Sequence, residues 1–454
     1  MTLDNYIEDL KGKRIAVVGV GVSNLPLIRL LAKRSCDVTA CDKSSAEALG
    51  DVYSELAALG VRFQLGAHYL DRLDYDVVFR TPGLHPDKLK GVVRPDTVVT
   101  SEMEAFFKVC PCRIIAITGS DGKTTTSTLI AKLLSAEGYT VHLGGNIGKP
   151  LLCETPTFRP EDVAVLELSS FQLHSMKCRP DVAVITNISP NHLDVHPSFE
   201  DYANAKKNIF LLQGRDCRLV LNLDNAYSAA YAAEAAAEVI WFSRERIPER
   251  GYSFHDEAIY RGDERFLEAG DILIPGMHNV ENYMAAFAAT EGYVSAETCR
   301  KIATTFGGVE HRIELIRTLR GVRYYNDSIA SSPTRTIAGL RSFTQKVILI
   351  AGGHDKLIPF DLLAEEIVKR VKALFLVGET AEKIRDAVVN VPGYDAALLP
   401  VTILDDFTET VRAAADYAEE GDVVILSPAC SSFDRFRNFA ERGNTFRKIV
   451  EEMK

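Results

Sequence analysis

Apolar and polar positions along this chain alternate with two periods. Short runs rich in Val, Ile and Leu, such as "RIAVVGV" at residues 14–20 and "KVILIAGG" at residues 346–353, are followed by longer stretches with helical spacing. Strands that alternate with helices in this way are joined by crossovers, which place parallel strands side by side. The pattern therefore predicts an α/β protein with mainly parallel sheets.

The strand-like runs fall into three blocks. The first contains, besides "RIAVVGV", the runs "CDVTACD" (36–42), "VRFQLG" (61–66) and "YDVVFRTPG" (75–83). The second contains "RIIAITG" (113–119), "VAVLELSSF" (163–171), "DVAVITNIS" (181–189) and "CRLVLNLD" (217–224). The third contains "KVILIAGGHDK", "KALFLVGE" and "DVVILSPACSSF". We predict three domains: a Rossmann-like domain over residues 1–102, a central P-loop ATPase-like domain over 103–309, and a Rossmann-like domain over 310–454.

One stretch departs from the parallel pattern. Residues 252–275 alternate polar and apolar positions, which is typical of antiparallel hairpins. The helical stretch "HNVENYMAAFAATEGY" follows them. We therefore expect the central block to end in hairpins and a helix.

Composition narrows the class of protein. A net charge of −10 argues against a sequence-independent nucleic-acid binder. The chain has no run of about 18 apolar residues, and its opening "MTLDNYIEDLKGKR" lacks the apolar segment of a secretory signal. The nine cysteines are scattered, and Cys110 and Cys112 do not form a C-x-x-C pair, so we expect reduced thiols and no structural zinc. These features predict a cytoplasmic protein without a nucleic-acid or membrane partner.

The first glycine-rich turn is "VVGVGVSN" at residues 17–24, which follows a strand and opens a helix. Asp42 ends the next strand, and Asn24 occupies the place of the third glycine of a dinucleotide fingerprint. A helix N-terminus behind a glycine turn favours a phosphate. The turn indicates a nucleotide ligand and leaves NAD open as an alternative, while "RTPGL" at residues 80–84 adds a second loop at the same edge.

The second glycine-rich turn is "TGSDGKTTT" at residues 118–126, between a strand and a helix. It is shorter than the usual G-x-x-x-x-G-K-[ST] loop, because Gly119 is the glycine preceding Gly122. Backbone N–H groups at the helix start, the Lys123 amine and the Thr124 hydroxyl are nevertheless the groups that bind a phosphate and its Mg²⁺. This context predicts a phosphate site.

Two further segments offer metal ligands. Glu167 ends the next strand inside an apolar run, where an unpaired carboxylate is costly; the alternative is a solvated glutamate at a strand end. The loop after the following strand carries His192, Asp194 and His196. The H-x-D-x-H spacing suggests zinc, but no further ligand with supporting spacing follows, and a histidine that caps the loop is the commoner outcome.

Taken together, these segments resemble the Mur ligase family, whose members are ATP-dependent, amide-forming enzymes of peptidoglycan precursor synthesis. The resemblance covers nearly the whole chain and rests on motifs in family order: "TGSDGKTTT", "ELSSFQL", "TNISPNHLDVH", "AK" at 205–206, "HNVENYMAA", "EHR", "YNDS", "GGHDK" and "LSPACSSFDRFRNFAERGNTF". The shortened glycine loop is itself the family's form. "YNDS" and "SPACSSFDRF" favour the member that adds D-glutamate to UDP-N-acetylmuramoyl-L-alanine through an acyl phosphate.

The resemblance implies ATP contacts from Gly119, Ser120, Asp121, Gly122, Lys123, Thr124, Thr125, Asn279, Asn282, Arg312 and Asp327. It implies contacts to the UDP substrate from Gly19, Gly21, Ser23, Asp42, Lys43, Thr81, Pro82, Gly83 and Asn146. It implies a D-glutamate site formed by Ser331, Lys356, Ser432 and Phe433. The implied metal ligands, for two Mg²⁺ ions, are Thr124, Glu167, His192 and Lys206, with Lys206 carbamylated and with Lys123, His192 and Lys206 as the catalytic residues.

One position departs from the family pattern. The D-glutamate-adding members usually read N-D-S-K-A-T, whereas this chain reads "NDSIASSPTR". Ile329 cannot supply the positive charge of that lysine, and Arg335 is a candidate to replace it. Alternatives are another amino-acid-adding or folylpolyglutamate synthetase-like ligase, a non-catalytic nucleotide-binding module, and an NAD-dependent oxidoreductase. We expect a monomer whose partners are small molecules: ATP, D-glutamate and UDP-N-acetylmuramoyl-L-alanine.

Overall fold

The computed structural model describes residues 1–190 and 196–454. These residues divide into two compact units. The first comprises Met1–Ala269 with Glu281–Ile302, and the second comprises Gly270–Val280 with Ala303–Lys454. Parallel strands dominate each sheet, which confirms the predicted α/β fold class. The domain boundaries at residues 102 and 309 stay a prediction.

The N-terminal sheet of the first unit is entirely parallel, in the order β3-β2-β1-β4-β5. Its strands are β1 (Arg14–Val18), β2 (Asp37–Asp42), β3 (Arg62–Leu65), β4 (Val77–Phe79) and β5 (Val98–Thr100). The helices around it are α1 (Leu3–Glu8), α2 (Leu25–Lys33), α3 (Ala46–Leu49), α4 (Asp51–Ala58) and α5 (Glu102–Val109). Short 3₁₀ turns occupy Gly66–His68 and Pro86–Leu89.

The central sheet follows the order β14-β13-β12-β11-β10-β9-β6-β8-β7. Its strands are β6 (Arg113–Thr118), β7 (Val141–Gly145), β8 (Val163–Glu167), β9 (Val182–Ile185), β10 (Arg218–Asn222), β11 (Glu238–Ser243), β12 (Gly251–His255), β13 (Ala258–Arg261) and β14 (Glu264–Glu268). Its helices are α6 (Lys123–Glu137), α7 (Ser170–Leu173), α8 (Phe199–Lys207) and α9 (Ala226–Ala230). Short 3₁₀ turns occupy Leu152–Thr157, Tyr231–Glu234 and Ala269–Asp271. The last two strands pair antiparallel, which confirms the hairpins predicted over residues 252–275.

The sheet of the second unit follows the order β15-β16-β20-β17-β18-β19. Its strands are β15 (Glu314–Leu319), β16 (Val322–Asn326), β17 (Val347–Ala351), β18 (Val371–Leu376), β19 (Val401–Ile403) and β20 (Val423–Leu426). The remaining helices are α10 (Met277–Thr290), α11 (Ala296–Thr305), α12 (Pro333–Arg341), α13 (Asp361–Arg370), α14 (Ala381–Val389), α15 (Phe407–Tyr417) and α16 (Phe439–Glu452). Only the edge strand β15 pairs antiparallel in this part of the described chain.

The hydrophobic core explains the continuous apolar runs. Helices cover both faces of a parallel sheet, so every side chain of a central strand is buried. All five residues of β8 and of β17 are buried in this way. One apolar cluster continues from the N-terminal sheet into the central sheet, which explains why both belong to one compact unit. No helix among the described residues is long and apolar enough to cross a membrane.

Candidate active site

The glycine loop lies between the end of β6 and the start of α6. Gly122 precedes the helix with a left-handed backbone, and Lys123 opens it. The Lys123 Nζ donates to the carbonyl oxygens of Gly119 at 2.9 Å and Ser120 at 2.8 Å, so its positive charge lies over the loop. The first turn of α6 carries no acidic residue, and the helix dipole adds partial positive charge at this end. The loop is therefore built to attract an anion.

Both glycines of the loop are required by their surroundings. Gly119 has φ of 150° and Gly122 has φ of 79°, values that other residues rarely adopt. A Cβ atom at Gly119 would collide with the hydroxyl of Thr186, and one at Gly122 with the side chain of Asn282. The Thr186 hydroxyl donates to the carbonyl of Asp121 at 2.6 Å, so it is held in place. The short loop is consequently packed against its own sheet.

A buried carboxylate stands beside the loop, as the sequence predicts. Glu167 ends β8 and is only 2% exposed. The Thr124 hydroxyl donates to its Oε2 at 2.8 Å, and the Asn146 amide donates to its Oε1 at 3.0 Å. A hydroxyl and a carboxylate at this distance form a set of oxygen donors suited to Mg²⁺. The alternative of a solvated glutamate is wrong.

Lys206 lies on α8 and is also buried beside the loop. Its Nζ donates to the carbonyl of Gly119 at 2.9 Å and to the hydroxyl of Thr118 at 3.4 Å. Burial and the nearby charge of Lys123 hold the pKa of Lys206 well below its usual range, because both disfavour the ammonium form. A neutral amine is a nucleophile, which an ammonium group is not.

The histidine loop is described only in part. His192 and Asp194 lie outside the described residues, so the metal role expected for His192 stays a prediction. His196 is buried, and its two ring nitrogens lie 2.7 Å from Asp201 Oδ2 and 3.0 Å from the Ser170 hydroxyl. The part of the loop that is described is therefore tied to α7 and α8 by hydrogen bonds.

The N-terminal glycine turn closes on Asp42. The carboxylate accepts the backbone N–H of Val20 at 2.7 Å and that of Ser44 at 2.8 Å. Burial alone would raise the pKa of Asp42, but these N–H donors hold it below its usual value. Gly19 has φ of 91°, and a Cβ atom there would lie 2.9 Å from that of Thr81. The two loops expected to border the UDP substrate therefore meet at the carboxyl edge of the sheet.

Arg80 holds one of these loops in place, a role that the motif analysis does not assign. Its guanidinium is buried and donates to the carbonyl oxygens of Leu84 at 2.6 Å and Phe171 at 3.0 Å, and to the Ser175 hydroxyl at 3.1 Å. Burial lowers the pKa of Arg80 from its usual value. The residue thereby clamps the Thr81–Pro82–Gly83 turn onto α7. The sequence signal for this role is an arginine directly after a buried strand and before a proline turn.

The second unit gathers its predicted site residues at one sheet edge. Strands β16, β20 and β17 are neighbours, so the loops after them are adjacent. The Lys356 Nζ donates to the carbonyl of Ser331 at 3.0 Å. Asp327 accepts the Ser427 hydroxyl at 2.7 Å, and complete burial raises its pKa to about 7. In this structure the Asp327 carboxylate therefore faces protein groups.

Arg442 joins the loops of this edge and is a second residue that the motif analysis leaves without a role. It is 2% exposed, and it donates to the Ser328 hydroxyl at 3.0 Å and to the carbonyl oxygens of Cys430 and Ser431 at 3.1 and 3.2 Å. Burial lowers the pKa of Arg442 to about 10. The guanidinium fixes the "YNDS" and "SPACSS" segments to each other.

Comparison with known proteins adds to this geometry. Residues 117–290 match the Mur ligase middle domain, and residues 311–430 match the Mur ligase glutamate ligase domain. The chain is 50% identical to UDP-N-acetylmuramoylalanine–D-glutamate ligase of Ruminiclostridium cellulolyticum, over 100% of this chain and 99% of the relative. It is also 50% identical to a ligase of that name from Acetivibrio thermocellus, over 99% of both chains. The chain belongs to the Mur ligase family.

A solved structure agrees with the fold of this Mur ligase. UDP-N-acetylmuramate–alanine ligase from Thermotoga maritima matches it with a TM-score of 0.58 at 16% identity, over 97% of this chain and 100% of the other. The family models and the two relatives confirm the predicted family and enzyme class, an ATP-dependent amide-forming ligase, and the solved structure confirms the fold class. The oxidoreductase alternative is wrong, because the chain matches the Mur ligase family along its length.

The first unit brings several predicted ATP residues together. Gly119, Lys123 and Thr124 belong to the junction of β6 with α6, and Glu167 lies beside Thr124. Two further residues predicted to contact ATP, Ser120 and Asn282, lie at the same loop, whereas Asn279 has a partner elsewhere. Ser120 shares a 2.9 Å hydrogen bond with the hydroxyl of Tyr202. Asn282 accepts the Thr126 hydroxyl at 3.2 Å, so it lies against the loop, whereas the Asn279 amide donates to the carbonyl of Pro275 at 2.6 Å.

The other predicted residues differ in exposure. Ser432 is buried and Phe433 is 68% exposed, although they are neighbours in the loop after β20.

Arg312 is exposed in the second unit, and its charge contributes to the environment of Asp327. Arg335 donates to the carbonyl of Ile329 at 3.2 Å. A guanidinium therefore lies next to the position where the family usually has lysine.

Proposed function

We propose that this Mur ligase joins D-glutamate to UDP-N-acetylmuramoyl-L-alanine and cleaves ATP to ADP and phosphate, as a step of peptidoglycan precursor synthesis. The observation that carries the proposal is an identity of 50% over the full chain to two relatives whose names state this pair of substrates. The loop around Lys123 and the buried Glu167 supply the ATP half of the reaction.

In the first step, a carboxylate oxygen of the alanyl group attacks the γ-phosphorus of ATP, and the bond to ADP breaks. An acyl phosphate forms. Both reactants are anions, so positive groups must lower their repulsion. The Lys123 ammonium and the N-terminal end of α6 provide this charge, and Lys123 exchanges its two carbonyl partners for phosphate oxygens. Positioning and electrostatics account for the catalysis.

In the second step, the amine of D-glutamate attacks the acyl carbon. Phosphate leaves and a proton of the amine is released, which forms the amide. Lys356 pairs with a carboxylate of D-glutamate in place of the Ser331 carbonyl, and Ser432 with Phe433 borders the amino acid. Arg442 positions these loops through its hydrogen bonds to the carbonyl oxygens of Cys430 and Ser431.

Thr124, Glu167, His192 and Lys206 are the proposed ligands of two Mg²⁺ ions. When bound, magnesium neutralises charge on the phosphates and on the attacking carboxylate. Thr124 and Glu167 share a hydrogen bond of 2.8 Å, so their oxygens are close enough to bind one ion.

Lys206 takes part as a carbamate. Its neutral amine nitrogen adds to the carbon of CO₂ and releases one proton, so a neutral amine becomes an anionic carbamate. Its 1% exposure supports this reaction, because an ammonium group at this site would lack water. We expect a carbamate signal from ¹³C-labelled bicarbonate by NMR. The signal should be lost in Lys206→Ala and kept in Lys207→Ala, and a signal that survives in Lys206→Ala would contradict the carbamate.

The proposed reaction is tested by phosphate release with UDP-N-acetylmuramoyl-L-alanine and ATP. We expect release with D-glutamate and at least tenfold less with L-glutamate, L-alanine or diaminopimelate. ATP binding without phosphate release would favour a non-catalytic nucleotide-binding module, the alternative that is suggested by Ile329 in place of the usual lysine. Release with another amino acid would instead reassign the substrate within the family.

We also propose a cytoplasmic monomer. The described cysteines are all free thiols, in keeping with a reducing compartment. Light scattering coupled to size-exclusion chromatography should give a mass near 50.1 kDa. A mass of twice that value would contradict the monomer.

A further inference from the structure

Three imidazole rings surround one carboxylate, and none of these four residues is among the site residues predicted for the ligase reaction. Asp201, in the first turns of α8, has His174 Nε2 at 3.1 Å from its Oδ1 and His196 Nδ1 at 2.7 Å from its Oδ2. His85 comes from the loop after β4, and its ring centroid lies 4.3 Å from that of His174. Ring nitrogens of His85 and His174 and an oxygen of Asp201 all lie within 4.8 Å of one another. Histidines from two parts of the first unit thus converge on one carboxylate.

One nitrogen of this cluster has an unmet hydrogen-bonding capacity. The Nε2 atom of His85 is buried and has no hydrogen-bond partner among the described residues. A buried polar atom without a partner is costly, and in native proteins it indicates an additional ligand or water. The other ring nitrogen, Nδ1, receives the backbone N–H of Asp87 at 3.2 Å, and the Asp87 carboxylate lies 3.8 Å away.

The geometry points to a binding site for a divalent transition-metal ion of the zinc type, held by His85 Nε2, His174 Nε2 and an oxygen of Asp201. Two imidazoles and a carboxylate are a common ligand set for Zn²⁺ and Co²⁺, and they leave a position for water. Ligand atoms of a tetrahedral ion lie about 3.3 Å apart. The His174 Nε2 and Asp201 Oδ1 atoms are 3.1 Å apart, and a ring nitrogen of His85 lies within 4.8 Å of the ligand atoms of both residues.

The groups around the proposed ligands can accept the ring proton of His85 and orient Asp201. Metal at His85 Nε2 requires the ring proton on Nδ1, where the half-exposed Asp87 carboxylate accepts it in place of the present contact. His196, whose other ring nitrogen bonds Ser170, orients Asp201 from behind, as outer-shell partners do at metal sites. The ion would join the 80–85 loop to α7 and α8, next to the clamp that Arg80 forms with Phe171 and Ser175.

This site differs in chemistry from the one beside the glycine loop. Thr124 and Glu167 offer oxygen donors, which magnesium prefers, whereas the histidine cluster offers nitrogen, which zinc and cobalt prefer. The inference therefore stands on the histidine cluster and is independent of the amino acid that the enzyme adds.

Cobalt binding tests the inference, because Co²⁺ bound to imidazole absorbs visible light. The full chain, without an affinity tag and freed of metal by chelator, is titrated with Co²⁺ in excess Mg²⁺. We expect one equivalent to bind with visible absorption and Zn²⁺ to displace it. Zinc should also raise the unfolding midpoint of the full chain.

Single variants locate the ion. His85→Gln and His174→Gln, on two different elements, should each weaken Co²⁺ binding at least tenfold and abolish the zinc-dependent rise in unfolding midpoint. His196→Gln, as an outer-shell change, should weaken binding about 10- to 100-fold. The matched control is His68→Gln, since His68 Nδ1 lies 2.5 Å from the Asp71 carboxylate but this pair is exposed.

The outcomes separate clearly. Absence of Co²⁺ absorption in the full chain overturns the inference and leaves a hydrogen-bonded histidine cluster. Unchanged affinity in both His85→Gln and His174→Gln overturns it as well, because the ion then binds elsewhere. Circular dichroism of the metal-free variants checks that each remains folded, and loss of affinity in one folded variant is sufficient for the test.

Discussion

Lys123 donates to two carbonyl oxygens of its own loop, so its amine is held where the phosphates are expected. The Lys123→Ala substitution removes this charge without removing a core side chain. We expect the ligase rate to fall at least 1,000-fold, which corresponds to about 4 kcal/mol in the activation barrier. Phosphate release under saturating substrates measures the effect.

The matched control is Lys132→Ala, on the exposed side of the same helix. Its rate should stay within twofold of the wild-type rate, and both variants should keep the wild-type unfolding midpoint within a few degrees. Substantial ligase activity in Lys123→Ala would contradict the proposed role of this loop in the reaction.

The buried carboxyl group of Glu102 should make the free energy of unfolding depend on pH. Burial raises its pKa to about 7, although its carboxylate accepts the backbone N–H of Leu152 at 3.1 Å. The folded state therefore holds the protonated form over a pH range in which the unfolded chain, with a pKa near 4.5, ionises. This contribution to stability is fully present below pH 4.5 and is lost as the pH rises to about 7.

The Glu102→Gln variant does not ionise, so it avoids the loss. Between pH 4.5 and pH 7 its unfolding free energy should rise relative to wild type by about 3 kcal/mol, and the difference should then stay constant. Urea midpoints at a series of pH values measure it. Glu161→Gln, which changes an exposed side chain, is the control, and a difference that does not vary with pH would contradict the assignment.

At the scale of elements, the junction of β6 with α6 combines an unusual backbone with close packing. Gly119→Ala places a methyl group against the Thr186 hydroxyl and the backbone of Asn187, in addition to the strain of φ at 150°. The loop must shift to relieve this contact. We expect affinity for an ATP analogue, measured by calorimetry, to fall at least tenfold.

Gly138→Ala at the other end of α6 is the control. Gly138 has φ of 105°, but a Cβ atom there meets nothing within 4 Å. Both substitutions should cost about 1 kcal/mol or more of stability from backbone strain. Affinity for the ATP analogue should stay within twofold of wild type in Gly138→Ala. An equal loss of affinity in both variants would mean that lower stability, and not the shape of the loop, causes the loss.

Hydrophobic periodicity predicted the elements around the site well, because strands buried on both faces must be apolar throughout. The runs at residues 113–119 and 163–171 correspond to β6 and β8, and the hairpins over residues 252–275 correspond to β12 to β14. The polar clamps were not predicted. Arg80 and Arg442 act through partners distant in sequence, and a single arginine in a motif does not indicate which carbonyl groups it will meet.

The whole molecule consists of two compact units with separate sheets. We therefore expect unfolding by more than one transition in scanning calorimetry, since separate cores need not melt together. Leu166→Ala in the first unit and Leu374→Ala in the second each remove a fully buried side chain. Each should cost about 2–5 kcal/mol and lower the midpoint of a different transition.

Each of these two variants serves as the control for the other, because both replace a fully buried leucine by alanine and differ only in the unit that carries it. A single transition that shifts equally in both variants would show that the units unfold as one. An ATP analogue should raise the transition that Leu166→Ala lowers, because the glycine loop belongs to the first unit.

The amino-acid sequence alone indicated the alternation of strands with helices, the two glycine turns, the carboxylate at residue 167 and the family to which the chain belongs. These properties depend on residue type and local spacing, which the sequence displays directly. Only the tertiary structure decided that Lys206 is buried beside the Gly119 carbonyl, that Arg80 clamps one loop, and that a ring nitrogen of His85 lies within 4.8 Å of ligand atoms of His174 and Asp201. Burial and contacts between distant residues arise from packing, so no local pattern records them.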